Sequence, residues 1–125
     1  VGRHELLVVD RRSWAEGARI PVVGQPVFAV ARPDGRQVWV NFAHPTNGVV
    51  QVIDVPSRTV VATLTPGRAI LHLEFTPRGE QLWLSARDDD AVIVLDPSSH
   101  DRVATLPAQK PSGIFLAARA NRIGQ

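Results

Sequence analysis

Cysteine is absent from this 125-residue chain, and so are methionine and tyrosine. Without cysteine the chain holds no disulfide, no zinc–thiolate site and no covalently attached CxxCH heme. The missing methionine extends to position 1, so Val1 reads as a processed end, an alternative start or a cut. No apolar run approaches the roughly 18 residues a membrane-crossing helix needs, and no signal-peptide pattern opens the chain. Charge of one sign is scarce as well. Fourteen Lys and Arg stand against twelve Asp and Glu, leaving +2, which is not the basic footprint of a nucleic-acid binder. The GxSxG, HExxH, P-loop and GxGxxG motifs are all missing. With 44% hydrophobic and 21% charged residues, the composition is that of a folded chain.

The sequence repeats itself. Arg32-Pro33-Asp34-Gly35-Arg36-Gln37-Val38-Trp39-Val40 lies 44 positions before its counterpart, Thr76-Pro77-Arg78-Gly79-Glu80-Gln81-Leu82-Trp83-Leu84. Further on, Val52-Ile53-Asp54 and Val61-Ala62-Thr63-Leu64 return as Val94-Leu95-Asp96 and Val103-Ala104-Thr105-Leu106 at an offset of 42. The first copy therefore carries two extra residues, around Ala43-His44-Pro45-Thr46-Asn47. Each copy has four short runs rich in Val, Ile, Leu, Phe and Trp. In the second they are 70–75, 81–86, 91–95 and 102–106, separated by Pro-x-Gly, an aspartate cluster and Pro-Ser-Ser. Runs of this length with period near two, broken by turn formers every eight to twelve residues, exclude helices. Four antiparallel strands in about 40–45 residues is the pattern of a β-propeller blade.

The expected organisation is an all-β propeller fragment. Residues 1–24 end a preceding blade, 25–65 and 66–106 are complete blades, and 107–125 open a following blade with its innermost strand. That makes eleven strands. A closed ring needs at least four blades of four strands, so the remaining blades are required and Val1 starts inside a blade.

Several side chains then acquire roles. Trp39 and Trp83 recur at repeat spacing and are expected between blades. Asp54 and Asp96 read as turn caps, Asp88-Asp89-Asp90 as a solvated hairpin tip, and His4 and His100 as exposed. In a propeller the loop entering the inner strand and the loop joining the second and third strands emerge on one face. The entering segments align so that Phe28, His72 and Gly113 are equivalent, near the channel mouth. His72, His44, Arg87, Arg68 and Lys110 all fall at that end. A neutral His72 imidazole either packs, ligates a metal or heme iron, or moves protons. His44 sits on the lengthened loop. Arg68, Arg87 and Lys110 suit carboxylates.

Val49-Val50-Gln51-Val52-Ile53-Asp54 with Val60-Val61-Ala62-Thr63-Leu64 resembles the YVTN-type propeller repeat. The stretch from Thr63 to Glu80, then Leu84-Ser85-Ala86-Arg87-Asp88, Lys110-Pro111-Ser112-Gly113-Ile114-Phe115, Ala118-Arg119-Ala120 and Arg122-Ile123-Gly124, is similar to the carboxy-terminal part of the NirF-type branch of the heme d1 propeller family. That family also includes NirN-type proteins and the eight-bladed d1 domain of cytochrome cd1 nitrite reductase. The resemblance implies a periplasmic protein that binds heme d1 or its dihydro-heme d1 precursor non-covalently during heme d1 biosynthesis for denitrification. It implies action on the side chains of the tetrapyrrole, of a dehydrogenase type. His72, Arg87 and His44 are the positions carried over first, then Arg68 and Lys110, with His72 the candidate for the iron. The residues associated with the family's chemistry belong to the amino-terminal half, so no independent activity is expected of this stretch. Partners implied are the tetrapyrrole, other heme d1 biosynthesis proteins, nitrite reductase and a second copy of the chain. Two other readings stand beside this one: a non-catalytic scaffold for protein partners, and the d1 domain of a nitrite reductase.

Overall fold

The computed structural model describes residues 2–117. The segments Ala118-Arg119-Ala120 and Arg122-Ile123-Gly124 lie outside the described residues. Among the described residues ten strands form three antiparallel sheets in strict chain order. The first pairs β1 (Glu5–Val9) with β2 (Glu16–Pro21). The second runs β3 (Pro26–Ala31), β4 (Gln37–Phe42), β5 (Val50–Asp54), β6 (Thr59–Leu64). The third runs β7 (Ile70–Phe75), β8 (Leu82–Ala86), β9 (Ala91–Leu95), β10 (Arg102–Pro107).

The turns explain why the chain reverses where it does. Between first and second strands, Gly35 and Gly79 adopt φ of 72° and 78°, the left-handed region that glycine enters without a Cβ penalty. Their N–H groups donate to the Arg32 and Thr76 carbonyls at 2.8 Å. Between third and fourth strands an aspartate caps the turn. Asp54 accepts from the Ser57 N–H and hydroxyl, and Asp96 from the Ser98 and Ser99 N–H groups. Asp10 does the same for Arg12 and Ser13, which identifies β1 and β2 as the last two strands of a unit. Four residues after each aspartate the backbone turns left-handed, at Trp14, Arg58 and His100 (φ 58°, 56° and 66°).

Alternation along each strand feeds two seams. Val40, Phe42 and Ile53 face β1–β2 and meet Ile20, with Leu6 and Val8 packed against them. Trp39, Val50 and Val52 face the third sheet and meet Leu73, Phe75, Leu82, Leu84, Ile93 and Leu95. A sheet buried on both faces accounts for the near-continuous apolar runs. Trp39 is the keystone of the second seam. It is fully buried, edge-on to Phe75 at 6.0 Å and to His100 at 5.4 Å, with its Nε1–H donated to Gln37. His100 is therefore not a free surface residue. The left-handed turn swings it across the seam onto the preceding sheet.

Residues 111–116 carry no strand among the described residues. Pro111 has no N–H to contribute to a ladder. The segment is tethered instead by the Lys110 N–H on Asp90 and the Ile114 N–H on His72.

Candidate ligand face at the inner-strand ends

Antiparallel order places the starts of β3 and β7, the β4–β5 loop, the β8–β9 loop and residues 108–115 at one end. The lengthened β4–β5 loop folds back on the inner strands. Its Ala43 N–H donates to the Gln25 carbonyl at 2.9 Å, and its Asn47 carbonyl accepts from the Ile70 N–H at 2.7 Å. His44 is exposed on this loop, in a cis peptide with Pro45.

Beneath the loop, buried Asn41 ties three strands together. Its Oδ1 accepts from the Phe28 N–H at 2.9 Å, and its Nδ2 donates to the Ile70 carbonyl at 2.8 Å, joining β3 and β4 to β7 of the next sheet. Sequence reasoning passed over this residue. Its signal was a polar side chain in the middle of an apolar run. The counterpart in the next sheet is Ser85, fully buried, whose Oγ has no hydrogen-bond partner among the described residues.

His72 lies across from Ser85 in the β7–β8 register. The Phe28 ring meets it edge-on at 5.4 Å, and the Phe115 ring lies on it, tilted, at 5.8 Å. The Ile114 N–H donates to its Nδ1 at 3.0 Å. Phe28, His72 and the segment after Gly113, equivalent in the repeat, thus stand side by side. Phe28 and Phe115 are also exposed, so an aromatic surface remains available there.

The three rim cations converge elsewhere on this end, each on its own aspartate. The Arg68 Nε and backbone N–H both donate to Asp89, at 2.7 and 2.8 Å. Arg87 donates to Asp88 at 3.2 Å within a short 3-10 turn, Arg87–Asp89. Lys110 Nζ lies 3.9 Å from Asp90. The aspartate cluster is the exposed tip of the β8–β9 connection, and it also partners the rim cations. Asp89 fastens the β6–β7 connection to the β8–β9 loop, so closely that a Cβ on Gly67 would sit 2.8 Å from its Oδ2. These pairs are exposed, and such pairs contribute little net stability. Among the described residues no hydrogen bond or ion pair joins His44 to this group or to His72.

The Arg68 guanidinium, and after it the Arg68 N–H, hold the Asp89 carboxyl below the ordinary Asp range. A lowered value in the folded state means the stabilisation is complete above the ordinary value of 3.8 and is lost as pH falls through the lowered one. The thermal midpoint of the full-length protein should therefore drop more steeply in acid than that of Asp89→Asn. Equal slopes in parallel melts from neutral pH to about pH 3 would remove Asp89 from this role.

Two four-stranded units and half of a third, packed face to face in chain order, define a segment of a β-propeller with an aromatic and cationic end. The cytochrome D1 heme domain family matches residues 1–120. The chain is 53% identical to protein NirF of Stutzerimonas stutzeri and 52% identical to NirF of Pseudomonas aeruginosa, over 124 residues in each case. Those alignments cover 99% of this chain and 32% of either relative. Among solved structures it is similar to the dihydro-heme d1 dehydrogenase NirN in complex with DHE. The TM-score is 0.80 at 30% identity, over 89% of this chain and 25% of that one. The chain belongs to the cytochrome D1 heme domain family. It spans about a third of the length of its curated NirF relatives.

Proposed function

We infer that the protein carrying this sequence binds heme d1 or its dihydro precursor without covalent attachment, in the periplasm, and serves heme d1 biosynthesis for denitrification. The observation that carries this reading is the aromatic cluster of Phe28, His72 and Phe115 at the same propeller end as Arg68, Arg87 and Lys110. A flat macrocycle with acidic substituents needs both features, a stacking surface and exchangeable cations. The identity to NirF and the NirN complex support the choice of tetrapyrrole. The residues present fit the macrocycle. Phe28 and Phe115 would lie against its plane, and Arg68, Arg87 and Lys110 would exchange their aspartate partners for its carboxylates, with His44 on the adjoining loop. The bound group supplies the redox and side-chain chemistry; these residues hold and orient it.

The test is titration of heme d1 and of dihydro-heme d1 into the full-length protein, followed by visible spectroscopy. The expected result is a saturable band shift for at least one of the two, weakened severalfold in an Arg68→Ala, Lys110→Ala double variant. A folded protein that gives no shift with either would favour the scaffold reading.

A further inference from the structure

We propose that His72 meets the ligand as a hydrogen-bond donor through Nε2–H, toward a peripheral carboxylate or carbonyl oxygen, and does not ligate the iron. This rests on the tetrapyrrole reading and deepens it. A neutral imidazole has one N–H and one free lone pair. The Ile114 backbone N–H, which can only donate, is directed at Nδ1 from 3.0 Å. The lone pair is therefore at Nδ1 and the proton at Nε2. A histidine that binds a metal through one nitrogen donates its other N–H to an acceptor. Here the group facing the ring is a donor, so the polarity is the reverse of a ligating histidine.

The ring is not free to escape this arrangement. Turning it over would present a C–H to Ile114 and lose the bond, while Phe28 edge-on at 5.4 Å and Phe115 at 5.8 Å limit its tilt. Protonating Nδ1 would set one N–H against another. Among the described residues Nε2 has no hydrogen-bond partner, so its proton is available. The nearest chemical class to satisfy it is an oxygen acceptor, in keeping with the cations at the same end.

Two measurements on the full-length protein test this. The first is nitrogen NMR of histidine-labelled protein without ligand. The expected His72 signal is that of a ring protonated at Nε2 and bare at Nδ1; a proton on Nδ1 would overturn the proposal. The second compares bound heme d1 in wild type, His72→Gln and His72→Phe by axial-ligand spectroscopy and affinity. Glutamine keeps a terminal donor, so its Kd should stay within about threefold, whereas phenylalanine should weaken binding about tenfold or more. The axial-ligand bands should be unchanged in both. Loss of those bands in the glutamine variant would overturn the proposal, and that variant carries the test if the phenylalanine variant misfolds. If wild type binds no tetrapyrrole, the functional reading fails, and the NMR result still decides the polarity of His72.

Discussion

Trp39→Ala should destabilise the full-length protein by about 3–5 kcal/mol. The indole is fully buried between two sheets, meets Phe75 and His100 edge-on, and has its own N–H satisfied by Gln37. Truncation leaves a cavity across the whole seam, which rigid β-strands cannot close by collapsing. His100→Ala removes only one edge contact at the rim and should cost about 1 kcal/mol. The denaturant midpoint is the quantity to compare, since a many-bladed protein need not unfold in two states. A loss under about 1 kcal/mol for Trp39→Ala would mean that the seam is not where this part of the propeller is held together.

The second large effect is a contrast between two equivalent positions. Asn41→Ala strands the Phe28 N–H and the Ile70 carbonyl at a buried junction. Two orphaned backbone groups should cost about 2–4 kcal/mol together. Ser85→Ala, at the same place in the next sheet, removes a buried hydroxyl that has no partner among the described residues. Its effect should lie within about 0.5 kcal/mol of zero, or be stabilising. Parallel denaturation of the two variants checks the pair. A cost above about 1 kcal/mol for Ser85→Ala would mean that the hydroxyl is bonded in the full-length protein, by water or by the chain that follows.

Most of the strand order was legible because the information is local. Period-two alternation and Pro-x-Gly turns mark β7 and β9 to the residue, and the aspartate caps recur in all three units. The strand expected after Lys110 is not a local matter, and residues 111–116 carry none among the described residues. A strand exists only beside another, and sequence periodicity says nothing of whether the neighbour is there. The aspartates at 88–90 are the exposed hairpin tip the sequence suggested, but their partners could not be read from it. Charge is visible in a sequence, but the partner is not, and Arg68 reaches Asp89 only because the fold brings β6–β7 against β8–β9. His100 seemed idle until the left-handed turn carried it to Trp39.

At the candidate site, repeat alignment put Phe28 and His72 at one position of successive blades, and their rings stand 5.4 Å apart. What the alignment could not supply is which nitrogen of His72 is occupied. That depends on Ile114, 42 residues away, in a segment outside the regular strands. Asn41 was visible as a polar residue in an apolar strand, but its two partners belong to different strands.

A crystal structure of the full-length protein with dihydro-heme d1 bound would test the ligand face directly. The macrocycle should lie at the inner-strand end, in contact with Phe28 and His72, with His72 Nε2 bonded to a ligand oxygen and Ile114 still on Nδ1. A macrocycle seated away from Phe28 and His72, or iron bound by His72, would contradict this geometry.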